Sequence, residues 1–236
     1  MPDHYKLYYW PIPFRGHFIR YVLAHVGATW EETGFTETGQ FKNQPLQGKP
    51  YPFLAPPVLY DQGNDKYLGQ LAAILMYLGR KYDLIGDKDE ALRIINDALD
   101  ILLELTRMHG AQMWDEQSWD VFITTRLPAW LAIHERWLSE QTVSSPFAHG
   151  RAKIGLSDLV LTALWHTMAD KLPNMRDVIT QHAPTLMAHA DTIAETPEIS
   201  AVRKDWETIT PLYCAGQIEA SILEMLNKRN PPHEPL

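Results

Sequence analysis

The chain has 236 residues, 45% of them hydrophobic and 21% charged, with a formal net charge of −8. That acidity gives no support to a nucleic-acid or anionic-membrane partner, and the length allows one large domain or two small ones. Cys214 is the only cysteine, so no internal disulfide forms, and the longest apolar run, around Leu71 to Leu78, is far short of a membrane span. With no basic-then-apolar leader at the N-terminus, a soluble, cytoplasmic protein is expected.

Lys6 to Trp10 is an aromatic, β-favouring strand, stopped by Pro11 and Pro13. Phe14, Phe18, Val22 and Val26 then recur every fourth residue, marking one apolar face of a helix that Gly27 ends. A strand running directly into a helix sets the first-turn amides beside the strand's end, a seat suited to an anion. Ala28 to Phe35 reads as a second strand, and Thr36 to Ala55 as a polar loop too long for a mere connection. Pro57 to Asp61 and Lys66 to Leu68 are two more strands around a turn at Gln62 to Asp65. Gln70 to Tyr82 is a helix with Leu71, Ile74, Leu75 and Leu78 on one face.

Asp83 to Lys88 reads as a linker, and beyond it the composition is helical. From Asp89 to His109, Leu92, Ile95, Leu99 and Leu102 form one apolar stripe; Ile94, Ala98, Ile101 and Leu105 form a second beside it. A helix apolar over so much of its surface is covered on two sides. Trp119 to Glu140 is a further helix with a kink or break at Pro128, followed by a loop over Thr142 to Lys153. At Ile154 to Leu161, Gly155 stands at a helix N-cap, Asp158 reaches back to its amide, and Ile154 and Leu159 staple the turn. Glycine offers no capping oxygen, a weakening of about 1 kcal/mol. Pro184 and Pro197 mark two later helix starts, and the tail from Asn230 is expected to fray.

Tyr9-Trp10-Pro11, Arg15-Gly16 and the helix after them resemble the start of the cytosolic glutathione transferases of the tyrosine type. Two extra residues precede Arg15-Gly16, which puts the place of Arg15 in question. Members that use Cys or Ser carry it just before a Pro-Phe pair; here that place is Ile12. The resemblance runs in order along nearly the whole chain. It implies an α/β plus all-α architecture, with a thioredoxin-like glutathione-binding domain over residues 1–84 and an all-helical domain over 89–230.

A glutathione thiol of pKa about 8.5 is only a few per cent thiolate at neutral pH, and the thiolate is the nucleophile. A phenol donor aimed at the sulfur favours the charged form, and a helix N-terminus adds a field of the same sign. The resemblance gives that role to Tyr9, with Tyr8 on the opposite strand face as the fallback. Pro57 takes the position of the family's cis proline. Pro56 takes that of the residue pairing with glutathione's cysteine, though without an N–H. Gln70, with Ala73-Ile74 and Tyr77-Leu78, matches the γ-glutamyl segment, where Leu71 replaces a serine hydroxyl. Lys49, or Lys42, would meet the glycyl carboxylate. Asp100, or Asp97, would reach the γ-glutamyl amine across a dimer.

No HExxH, GxSxG, Walker A or dinucleotide glycine pattern occurs, so neither a metal nor a nucleotide is expected. The expected activity is conjugation of glutathione to a small hydrophobic electrophile, with glutathione peroxidase activity a related possibility. The rival is a transferase-like protein that binds ligands without turnover, motivated by Leu71 and Pro56. A homodimer is expected, with the doubly apolar helix facing its counterpart and a charge at Ile94 or Ile101 weakening it.

Overall fold

A computed structural model describes residues 3–229. A four-stranded sheet holds β1 (His4–Tyr8), β2 (Thr29–Glu32), β3 (Val58–Asp61) and β4 (Lys66–Gly69) in the order β2-β1-β3-β4. The first pair is parallel and the other two antiparallel. Alternation in β1 sorts its side chains by face. Tyr5 and Leu7 are buried beneath α1 (Phe14–His25) and α3 (Leu71–Lys81). Lys6 and Tyr8 face α2 (Phe35–Asn43): Lys6 pairs with Glu37, and Tyr8 stacks on Phe41 at 4.1 Å.

Helix α2 corrects the reading of residues 36–55 as a loop without structure. Its own apolar signal is small, since only Thr38 and Phe41 are buried. The helix is held by tertiary bonds instead. Thr38 Oγ1 donates to the Tyr9 carbonyl at 2.9 Å, and Thr33 Oγ1 to the Leu7 carbonyl at 3.1 Å.

At the far end of the sheet, the buried Asp61 carboxylate accepts from Lys81, Tyr77 and Asn64. Burial pushes this carboxyl up, but those bonds outweigh it and hold it at about 2.

The remainder is helical. It comprises α4 (Lys88–Leu105), α5 (residues 116–141), α6 (residues 156–171), α7 (Met175–His182), α8 (Pro184–Ala194), α9 (Pro197–Ile209) and α10 (Gly216–Arg229). Helix α5 carries a π-turn at Phe122–Arg126 just ahead of Pro128, where the ring has no N–H for the ladder. Helix α6 has a second π-turn at Thr162–His166. At its start, Asp158 accepts from the Gly155 amide at 2.8 Å, and also from the Ala148 amide and His189.

Both stripes of α4 are largely covered within the chain. Ile94, Ala98, Ile101 and Leu105 are buried, as are Ile95 and Leu102. Ile94 and Ile101 are therefore core positions, and a charge there would attack folding before any assembly. Only Leu92, at 38% exposure, and the half-buried Leu99 remain toward solvent. The helix also ends earlier than its periodicity predicts. Arg107, Met108 and His109 turn left-handed, with φ of 49°, 58° and 58°. No helix among the described residues is long and apolar enough to cross a membrane.

Candidate active site

Sheet register brings three separated stretches to one edge. Tyr8 lies opposite Val58, and Val58 opposite Gly69. The residues that follow or precede them, Tyr9, Pro57 and Gln70, therefore emerge side by side at about 5 Å per strand. The Pro56-Pro57 peptide is cis. The end of β1 and the cis Pro56-Pro57 turn thus share one sheet end with the start of α3.

Tyr9 sits just past β1, with its ring 3% exposed. Its hydroxyl accepts from the Arg15 backbone amide at 3.1 Å. Because the phenol oxygen accepts there, its own proton is left to donate. Burial pushes this phenol up to about 12, with Arg15 pulling the other way, so it stays protonated at neutral pH. The Arg15 backbone amide reaches Tyr9 because α1 begins at Phe14 and the residues ahead of it form a loop. Gly16 makes the approach possible. A Cβ there would lie 2.7 Å from Tyr9 Cδ1 and closer still to the Arg20 guanidinium.

The sequence reading missed Arg20, which shapes this loop. Fully buried, it pairs bidentately with Glu32 at 2.7 and 3.0 Å, donates to the Ile12 carbonyl at 2.8 Å, and stacks 3.8 Å from the Trp206 ring. The available signal was a lone charge inside the apolar run from Phe18 to Leu23.

The C-terminal turn was also missed. The Phe14 amide donates to the Tyr213 carbonyl at 3.2 Å, and the two rings meet edge to face. The buried Glu219 carboxylate fixes that turn by accepting from the Tyr213, Cys214 and Ala215 amides at 2.9, 2.6 and 2.7 Å. Burial and the neighbouring Glu219 both raise the Cys214 thiol, so it is not a thiolate at neutral pH. Together, Tyr9 and Tyr213 take the Arg15 and Phe14 amides. Two of the first-turn amides of α1 are therefore occupied, and the field of the helix start acts on the Tyr9 oxygen.

The start of α3 is different. No side chain caps it, and Gln70 at its N-cap is exposed with φ 67°, a backbone region costly for a non-glycine residue. Leu71 is 3% exposed and belongs to the core, so this helix start offers amides but no hydroxyl. Lys49 is engaged by its own loop, donating to the Lys42 and Phe53 carbonyls at 2.8 and 3.0 Å. Asp100 is exposed on α4, whereas Asp97 is paired with Arg93 at 2.6 Å. Tyr8 is stacked under α2 and does not share the face of Tyr9.

Residues 90–225 match the family model described as "Glutathione S-transferase, C-terminal domain". The chain is 29% identical over 202 residues to glutathione S-transferase P 1 of Xenopus laevis, covering 85% of this chain and 92% of that one. It is 25% identical over 210 residues to a glutathione S-transferase of Plasmodium falciparum, covering 84% and 94%. Among solved structures it resembles the Pi-class glutathione S-transferase of Onchocerca volvulus, with a TM-score of 0.73, 21% identity, and coverage of 91% and 99%. It also resembles the monomeric Na-GST-3 of Necator americanus, with a TM-score of 0.62, 22% identity, and coverage of 86% and 97%. These two likenesses show the fold, a thioredoxin-like sheet region followed by a helical one. The family-model match spans more than half of the chain, which is an enzyme of the glutathione S-transferase family.

Proposed function

We infer that this enzyme conjugates the glutathione thiolate to a small hydrophobic electrophile. The carrying observation is the Tyr9 hydroxyl, which accepts the Arg15 amide and keeps its proton for a sulfur at the aligned strand ends. A hydrogen bond to a charged acceptor is worth about 2 kcal/mol. That would lower a bound thiol by roughly 1.5 pKa units, from a few per cent thiolate to about half. The thiolate sulfur then attacks the electrophilic carbon, and the leaving group departs with its electron pair. The same thiolate can attack an organic hydroperoxide oxygen, breaking the O–O bond to release the alcohol and leave a sulfenic acid, which a second glutathione thiol converts to the disulfide with loss of water.

In this reading Pro56 offers its carbonyl to glutathione's cysteine amide, and Gln70 with the amides of α3 receives the γ-glutamyl carboxylate. Residues 1–84 and 89–230 act as the two domains, with the electrophile between them. The test is turnover of a generic aryl halide together with calorimetric titration of glutathione. Saturable turnover is expected. Binding without turnover of several electrophiles would instead make this a non-catalytic binding protein.

A homodimer is also proposed, now through the exposed edge of α4 at Leu92 and Leu99 rather than through Ile94 and Ile101. Asp100 lies on that same exposed side. Sedimentation at micromolar concentration should show twice the 27.1 kDa chain mass, reduced by Leu99→Asp. A single monomeric species in the wild type would end this proposal and any role for Asp100 across an interface.

A further inference from the structure

Residues 9–13 connect β1 to α1 and have little of their own to hold them. Pro11 and Pro13 carry no N–H, and the Ile12 amide bonds back to the Trp10 carbonyl at 2.8 Å. Tyr9 stands at the head of this loop, so where its hydroxyl points depends on what fixes the carbonyls behind it.

The buried Arg20 does so from the far side of α1. Each of its five N–H groups has an acceptor. Two go to Glu32 at 2.7 and 3.0 Å, one to the Ile12 carbonyl at 2.8 Å and one to the Trp10 carbonyl at 3.5 Å. The last goes to His17 Nδ1 at 3.3 Å. A guanidinium only donates, so that ring nitrogen accepts. Burial and the neighbouring Arg20 hold the imidazole well below its ordinary range, which keeps it neutral. The guanidinium also lies within cation–π range of two rings, 5.8 Å from the centre of Tyr9 and 3.8 Å from that of Trp206. Trp206 is buried on α9, the helix packed against α1, and meets the His17 ring edge to face at 5.5 Å. Arg20 therefore ties together the end of β2, the loop behind Tyr9 and α9.

We propose that Arg20 is a positioning residue for thiol activation, and that its stack on Trp206 makes the aim of the Tyr9 hydroxyl depend on the seating of α9 against α1. This role rests on Tyr9 as the thiol donor. Among the described residues no hydrogen bond or ring contact links Trp206 to the loop itself, so its route to Tyr9 is the guanidinium. Charge acts in the same direction. Burial pushes the Tyr9 phenol up, while Arg15 and Arg20 pull against it, which makes the phenol a better donor to an anion. Misplacing a reacting group by about 1 Å costs roughly a hundredfold in rate. A loop without its anchors thus loses activation before it loses glutathione.

The test uses the full chain with Trp206→Leu, Arg20→Lys and Glu32→Gln. The thiol of bound glutathione, followed by thiolate ultraviolet absorbance, should titrate about one unit higher in the first two. Their kcat should fall about tenfold with the glutathione KM within about twofold. Glu32→Gln leaves one acceptor and should give a smaller rise. Hydrogen exchange at residues 10–16 of the free enzyme should quicken in all three. Lysine keeps the charge but cannot span the same acceptors, so a wild-type thiol pKa in Arg20→Lys would overturn the positioning role. A lower melting temperature with thiol pKa and exchange unchanged would mark a merely structural residue and overturn it too. Tyr9→Phe separates the two readings. Arg20→Lys added to it should raise the thiol no further, because the arginine acts through the phenol; an additive rise would overturn that route. If Tyr9→Phe moves the thiol and Trp206→Leu does not, the Arg20 role alone falls. If Tyr9→Phe moves nothing, Tyr9 as donor falls with it. Should either buried variant fail to fold by thermal melting, Glu32→Gln decides, and an unchanged thiol there overturns the role.

Discussion

The starts of α1 and α3 lie at the same end of the sheet, yet they are finished in opposite ways. At α1 the Arg15 and Phe14 amides are taken by the Tyr9 hydroxyl and the Tyr213 carbonyl, and Arg20 and Glu219 hold the surrounding loops from inside. At α3 no side chain caps the helix, Leu71 turns into the core, Pro56 has no amide to offer, and Lys49 is bound to its own loop. In the proposed reading, the end that would receive the thiol is built from side chains held in place, and the end that would receive the carboxylate is left to bare backbone. Such an enzyme should activate the sulfur well and hold the tripeptide weakly, so its catalytic rate and its glutathione affinity should respond to different substitutions.

The largest effect expected is at the thiol end. Tyr9→Phe removes the donated proton while keeping the buried ring, and kcat/KM for conjugation should fall about 30-fold, the equivalent of 2 kcal/mol. The thiol of bound glutathione, followed by thiolate ultraviolet absorbance, should titrate about 1.5 units higher. In the wild type the rate should rise with pH as the thiol ionises. A phenol at about 12 loses its proton only far above that range, so no descending limb should come from Tyr9 at moderately alkaline pH. An unchanged rate in Tyr9→Phe would break the comparison at its stronger side.

These two helix starts also separate what the sequence shows from what it hides. The Gly155–Asp158 cap is legible because it belongs to a short pattern whose geometry is set by neighbours in the chain, and the cis bond at Pro57 is legible through the family resemblance. Helix α2 is not, because only Thr38 and Phe41 turn inward and what holds them is β1. The seat of Tyr213 on Phe14 joins the two ends of the chain, and no local pattern announces it. The stripes of α4 are visible as apolar faces, but periodicity cannot say which neighbour covers them. Here the neighbours belong to the same chain, which moves Ile94 and Ile101 from a surface to the core. Arg20 was passed over because a lone charge in an apolar helix reads as a solvent-facing residue until its partners are known.

At the carboxylate end the effects should run the other way, as gains. Leu71→Ser would return a hydroxyl beside the amides of α3, and one bond to a carboxylate should lower the glutathione KM about tenfold with kcat little changed. The residue is buried, so the same change removes core volume and should cost about 3 kcal/mol of stability in denaturant unfolding. A lower melting point without a lower KM would mean that the ligand's carboxylate does not reach α3. Pro56→Val is milder. It restores one amide opposite the cysteine of glutathione, a neutral bond worth about 1 kcal/mol, and should lower KM about fivefold. If KM is unmoved, Pro56 does not pair with the tripeptide.

The smallest effect expected is at Lys49, and it tests whether the carboxylate end is as bare as it looks. An ammonium that met the glycyl carboxylate would be worth more than a kilocalorie, and its loss would raise the glutathione KM about tenfold or more. The Lys49 ammonium instead holds the Lys42 and Phe53 carbonyls, and it lies 4.0 Å from the Phe53 ring centre. Its bonds close the loop between α2 and β3, where Tyr51 and Phe53 pack over Gly69. Lys49→Met keeps the stem on the ring and removes the donors. The KM for glutathione should then stay within about twofold, an effect below 0.5 kcal/mol, while limited proteolysis should cut the 44–55 segment faster. A tenfold rise in KM with unchanged proteolysis would show that Lys49 leaves its loop for the ligand. The two ends of the site would then be more alike than their geometry without glutathione indicates.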